Sequence, residues 1–88
     1  MREDKKPGGV ERLEVEIYGE IYKLKTDDTK SLLKSVQMVD STMKSISQNT
    51  RTFTGSRIAV LAALKIAEDY LQLKKDYDEL LALLDENK

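Results

Sequence analysis

The spacing of apolar positions changes along this chain from two residues, to about 3.6, to about 3.5, and each change predicts a different element. Leu13, Val15 and Ile17 alternate with Glu14, Glu16 and Tyr18. That alternation is a strand with one apolar face. Gly19-Glu20 carries the signal of a tight hairpin turn, and Ile21 to Lys25 return as a second strand with Tyr22 and Leu24 on one face. Two strands alone are barely stable in water, so the hairpin needs a helix or a second subunit to pack on. Thr26-Asp27-Asp28-Thr29 is a helix-start cluster, because short polar side chains accept the free N–H groups of a first turn. Two adjacent aspartates without further converging oxygens make a poor cage for a hard cation, so capping is the preferred reading over a metal pair. Leu32, Val36, Val39, Met43 and Ile46, widened by Leu33, then give one stripe of an amphipathic helix over about residues 30–47. Its methionines read as core filler.

Residues 47–55 break the pattern and read as a loop in which Arg51 and Phe53 stand out. Thr54 or Ser56 can cap the next element, a long helix over about residues 56–85, roughly 45 Å at the usual rise. Ala59, Ala63, Ile66, Tyr70, Leu73, Tyr77, Leu80 and Leu84 succeed one another at alternating steps of four and three. This is the contact line of a coiled coil. No other part of the chain is long enough to cover its distal half, and a second copy of the helix is the obvious cover. A second stripe, Val60, Leu64, Ala67 and Leu71 with Leu61 beside it, predicts burial on two sides near the head, by the chain's own helix and hairpin and by another subunit. Beyond Leu71 that stripe stops and Lys74, Asp78 and Glu79 take the other faces. From there the helix should leave the head as a stalk.

With Ala63, Tyr70, Tyr77 and Leu84 at position a, and Ala59, Ile66, Leu73 and Leu80 at position d, Asp69 falls at g and Lys74 at e. In a parallel pair these two would face each other, a weak preference for that orientation. Ala59 and Ala63 allow close approach beside the head. The tyrosine hydroxyls need water or a polar partner. Leu80, Leu81, Leu83 and Leu84 make the tip wider than a two-stranded seam needs. Two dimers can therefore meet through their stalks as a four-helix bundle; the alternative is a dimer with a merely sticky tip.

Composition narrows the function. The chain has 88 residues, 15 basic and 16 acidic, for a net charge of −1. It is one small domain with no general bias toward nucleic acid or an anionic membrane. It contains no His, Cys or Trp. The commonest general base, the commonest nucleophile and the commonest transition-metal ligands are thus missing, no cofactor is implied, and an enzyme is disfavoured. No apolar run reaches a membrane span and no secretory signal is visible, so a cytoplasmic protein is expected. The expected organisation is a disordered arm over residues 1–9, ending in Pro7-Gly8-Gly9, then a ββα head with the start of the long helix over 10–65, then a coiled-coil stalk over 66–88. The fold class is α+β.

The order strand, Gly turn, strand, helix, loop, long helix resembles the cell-division protein ZapA family. Val15-Glu16-Ile17-Tyr18-Gly19 with its return strand, the stretch from Arg57 to Ala67 (RIAVLAALKIA) and the charged heptad tail carry the likeness over roughly residues 10–88. The resemblance implies a protein that binds the tubulin-like GTPase FtsZ, bridges its filaments and promotes their bundling at the division site. It implies dimers formed through head and stalk, joined into antiparallel tetramers. It also implies that charged residues of the head meet the filament. Arg51 stands where relatives have a basic loop residue, and Lys44 and Arg57 lie close in sequence, so the three could form one basic patch. Phe53 is either a plug on the head's core or an apolar anchor for the partner. Glu20 departs from relatives that have a basic residue after the hairpin Gly, which shifts the expected contact from hairpin tip to loop.

Two other readings compete. A ribbon–helix–helix DNA-binding dimer reads the major groove with outward strand side chains, but here these include Glu14 and Glu16, which phosphates repel. A generic coiled-coil adaptor with an unrelated partner would share the seam and lack the filament.

Overall fold

A computed structural model describes residues 9–49 and 54–86. The arm over 1–8, the loop residues Arg51 and Phe53 with their neighbours, and the last two residues lie outside the described part. Within it the order is β1 (Glu11–Ile17), β2 (Glu20–Thr26), α1 (Thr29–Ser47) and α2 (Gly55–Glu86). This is the α+β arrangement the periodicities predict, with helix ends displaced by only one residue.

β1 and β2 pair antiparallel, with Ile17 opposite Glu20, Val15 opposite Tyr22 and Leu13 opposite Leu24. One face therefore carries Leu13, Val15, Ile17, Tyr22 and Leu24, and α1 packs on it. The helix lies chiefly under β1: Val15 is buried, whereas Tyr22 is 45% exposed. The other face, with Arg12, Glu14, Glu16, Ile21, Lys23 and Lys25, is open.

The turn sits one residue earlier than Gly19-Glu20. Its central residues are Tyr18 and Gly19, at φ +52° and +83°. A two-residue hairpin loop of the type that matches strand twist needs positive φ at both centres. Gly19 adopts it without penalty, whereas a residue with a Cβ, such as Tyr18, resists it by roughly 1–2 kcal/mol. Glu20 instead forms the first rung of the ladder with Ile17.

Asp28 caps α1, its Oδ1 accepting from Ser31 N at 3.1 Å. Thr26 Oγ1 in turn accepts from Asp28 N at 2.9 Å, tying the strand end to the cap. Thr29 Oγ1 donates to Glu11 Oε1 at 2.9 Å and closes the open end of the hairpin against the helix start. Thr54 caps α2, with its carbonyl accepting from Ile58 N at 3.0 Å and its hydroxyl from Arg57 N at 3.4 Å.

Met43, Ile58 and Ala62 form the buried centre, with Ile17, Tyr18, Val39 and Ile46 against it. The side of α2 that meets the head is thus the one that carries Ile58 and Ala62, not the stripe Val60, Leu64, Ala67 and Leu71. Val60, Leu64 and Leu71 are 57–60% exposed. Leu33, which the pattern adds to the inner stripe of α1, is also exposed at 48%. Alanine at 62 explains the geometry: a small side chain, 0% exposed, lets α2 approach α1 closely where Met43 and Ile58 fill the space beside it.

The 32 residues of α2 run without a break, about 48 Å at the standard rise. They give the chain extents of 51 × 43 × 14 Å and a radius of gyration of 17.7 Å. A compact chain of this length would have roughly 12 Å.

Candidate functional site

Three regions could carry function: the turn end of the head, the start of α2, and the bare length of α2. At the first, Asp40 is the organising residue. It comes from the middle of α1, and its Oδ1 accepts the N–H of Tyr18 at 2.8 Å. Its Oδ2 takes an ion pair from Lys44 Nζ at 2.9 Å, one helical turn on. The hydrogen bond from the Tyr18 backbone, with the Lys44 ammonium behind it, holds the Asp40 carboxyl below the usual carboxylate range. The same contact, with the charge of Asp40 and a weaker pull from Glu16, raises Lys44 above its ordinary value. The positive φ at Tyr18 thus has a tertiary partner, because the carboxylate of Asp40 accepts the backbone N–H of that turn residue.

Lys44 is therefore a residue with a structural duty as well as an exposed head, its side chain 62% accessible. Arg57 is exposed at the start of α2. Met43 and Ile58 share one buried cluster, so their sequence neighbours Lys44 and Arg57 rise from the same end of the head. Arg51 and Phe53 lie outside the described residues, in the connection between those two positions. Asp40 is not legible from the sequence as a functional neighbour of Lys44. Its spacing to Lys44 signals only a helix-surface pair, and nothing local marks its contact with a turn 22 residues away.

Along α2, every apolar ridge residue from Tyr70 onward stands open. Tyr70, Leu73, Tyr77, Leu80 and Leu84 are 55–68% exposed, and Leu81 is 44%. Ala59 and Ala63 are exposed as well, and Ile66 is half-buried. The ridge and the stripe Val60, Leu64 and Leu71 are both uncovered in the single chain, so α2 presents more apolar surface than its own head hides. Its polar flanks are tied within the helix: Lys65 pairs with Asp69 at 3.2 Å and Lys74 with Asp78 at 3.5 Å. Gln72 Nε2 donates to Asp76 Oδ1 at 3.0 Å. Asp69 and Lys74, which the heptad assignment sets facing across a parallel pair, thus each have a partner in their own chain. Exposed pairs of this kind contribute about 0–1 kcal/mol and exchange at little cost.

Among the described residues, no group of His, Cys, Asp or Glu side chains converges as a metal site, and no helix is long and apolar enough to cross a membrane. The depressions along α2 are open grooves between its own side chains, lined by Leu71, Lys74, Lys75 and Asp78 among others. They have no walls from a second element. What the surface offers chemically is contact: a charged head end and a long apolar ridge.

Comparison with known proteins places this arrangement among its relatives. The family model described as "Cell division protein ZapA" matches residues 13–87. A protein named "Cell division protein ZapA" from Geobacillus sp. (strain WCH70) is 38% identical over 78 residues, 88% of this chain and 90% of that protein. Proteins of the same name from Bacillus pumilus and Bacillus mycoides are each 34% identical. The first alignment covers 92% of this chain and 96% of the relative, the second 83% of each. No solved structure matches the chain.

Proposed function

The chain belongs to the ZapA family of cell division proteins, and from that premise we propose that it is a non-catalytic, homo-oligomeric cross-linker of FtsZ filaments. Membership itself gives the role in cell division and septation. The cross-linking mechanism is our reading. In it the ridge of α2 pairs with sister chains, dimers join through their leucine tips, and the heads at the ends of the rod each hold a filament. The work is done in the cytoplasm at the division site.

The observation that carries this reading is the imbalance between core and ridge. Among the described residues the buried apolar side chains are Val15, Met43, Ile58 and Ala62, whereas fifteen large apolar side chains are exposed, ten of them on α2 from Val60 to Leu84. A core this small is marginal by itself and gains from association. Burying a single leucine stabilises by about 1.5–3 kcal/mol, so a ridge with Leu73, Leu80 and Leu84 in each chain has ample drive. A stiff rod with identical ends then multiplies a weak head contact by bivalency.

In this reading the filament meets the head at Arg51, Lys44 and Arg57, with Phe53 as an apolar anchor beside them. Lys44 shares its charge with Asp40, and Arg51, standing where relatives have a basic loop residue, is the first choice. Co-sedimentation with assembled FtsZ tests the proposal. The full chain should pellet with filaments and bundle them, and Arg51→Ala should weaken bundling with the oligomer intact. Failure of the unaltered chain to pellet with filaments would overturn the reading.

A further inference from the structure

The open face of the hairpin has a charge order along its length that neither the core nor the ridge explains. Residues opposite each other in the register share a face, so this side consists of the rungs Arg12–Lys25, Glu14–Lys23 and Glu16–Ile21. The middle rung pairs opposite charges. The rung nearest the turn has one acid and an isoleucine that is 59% exposed. The rung at the open end sets two cations directly opposite each other. Side chains so placed have Cβ atoms about 4.5–5.5 Å apart, and like charges there disfavour the pairing of strands. Both residues are exposed. Neither takes part in any ion pair or side-chain hydrogen bond among the described residues. The pair also stands apart from Lys44 and Arg57. The bond from Thr29 to Glu11 puts the open end of the hairpin beside the first turn of α1, whereas the bond from Tyr18 to Asp40 puts the turn beside its later half.

We propose that Arg12 and Lys25 form a pincer for a carboxylate of an acidic protein segment, a second contact surface separate from the loop end of the head. The guanidinium offers a planar fork that matches a carboxylate, and the ammonium across the rung supplies a compact second charge. One carboxylate between them removes the repulsion that the register imposes. The rest of the face selects the class of partner. Glu14 and Glu16 stand on the same face, two and four residues along β1. They would repel the continuous negative charge of a nucleic acid or an anionic membrane, while a peptide with one acidic cluster avoids them. Ile21, at the far rung, gives such a peptide an apolar contact farther along. The site needs no filament to be read out, so it stands or falls independently of the cross-linking function.

The test is a titration of the isotopically labelled full chain with a short peptide of three consecutive glutamates flanked by Gly and Ser, followed by amide resonances at low salt. A glutamine version of the peptide and a DNA duplex serve as comparisons. Saturable shifts centred on Arg12 and Lys25 are expected with the glutamate peptide only. Binding should weaken roughly fivefold or more in the Arg12→Gln, Lys25→Gln double variant, the order expected for two exposed charge-assisted contacts, and fall with added salt. The proposal is overturned if the double variant binds equally well, if shifts scatter over the lysines of α2, or if duplex DNA binds more tightly than the peptide. It is also overturned if the double variant merely self-associates more while peptide binding is unchanged. In that case the two cations only guard a strand edge.

Discussion

The backbone N–H of Tyr18 and the Oδ1 of Asp40 lie 2.8 Å apart, and this bond fastens the hairpin turn to the middle of α1. It explains how a tyrosine keeps a positive φ, and it makes Lys44 part of the fold through the second oxygen of the same carboxylate. The head is therefore closed at both ends by a polar contact to α1, Glu11 with Thr29 at one and Tyr18 with Asp40 at the other.

Asp40 should give the protein an acid-sensitive component of stability. Its folded-state pKa is depressed, chiefly by the Tyr18 hydrogen bond. The stabilisation is accordingly complete above the ordinary aspartate range, about pH 4, and is lost as pH falls through and below it. Asp40→Asn should lower stability at neutral pH and flatten the acid limb of the stability curve. Denaturant unfolding at a series of pH values reads both, and parallel curves for the two proteins would contradict the assignment.

Gly19 isolates the backbone term of the same turn. Its φ is +83° and a Cβ placed there meets no atom within 4 Å. Gly19→Ala should therefore destabilise by the conformational term alone, about 1–2 kcal/mol, with the hairpin register unchanged. A loss much larger than that, in chemical denaturation with the strand amide signals followed, would mean that the turn had changed type.

Ile58 is the largest fully buried side chain among the described residues, at 1% exposure. Ile58→Ala leaves a cavity between α1 and α2 and should cost about 2–5 kcal/mol. In so small a core that is enough to loosen the head. If chains associate through α2 as proposed, far-UV circular dichroism should show α2 surviving at temperatures where near-UV signals report that the packing around Tyr18 is gone. Comparison across protein concentrations separates the loss in the head from the contribution of the proposed assembly.

In the proposed assembly, the leucine tip is what joins dimers. Leu80→Glu together with Leu84→Glu places charge on a ridge that is 55–57% exposed in the single chain, so the isolated protomer should tolerate it. Sedimentation equilibrium should show a lower mass at every concentration, with filament bundling reduced although the head is intact. Sedimentation identical to that of the unaltered protein would refute assembly through this end.

The strands, both helices and their caps are legible in the sequence because each rests on local chemistry. Alternation gives Leu13, Val15 and Ile17 one face, and short polar side chains at Asp28 and Thr54 announce the helix starts. The pattern misplaces the turn by one residue because Tyr18 owes its conformation to Asp40, which is remote in sequence. It misassigns the inner face of α2 for a different reason. A helical period tells which residues share a side and leaves open which side faces home. Val60, Leu64 and Leu71 are larger than Ala62, yet the small residue lies against α1 because closeness, not bulk, decides that contact. Of the partner-binding candidates, Lys44 and Arg57 can be followed into the fold and share one end of it, while Arg51 and Phe53 fall outside the described residues.

One uninterrupted helix carries both Ile58, locked in the core, and Leu84, near the far tip. After Gly55 it contains neither glycine nor proline, so it has no built-in hinge. A twist imposed at one extremity is passed to the other, and the helix acts as a gauge for spacing as well as a handle. Adding a single heptad within the exposed length should move the two extremities about 10 Å farther apart with nearly the same azimuth. Adding four residues should also rotate them by about 40°. The pitch and separation of whatever is held at each end would be written into the length of α2.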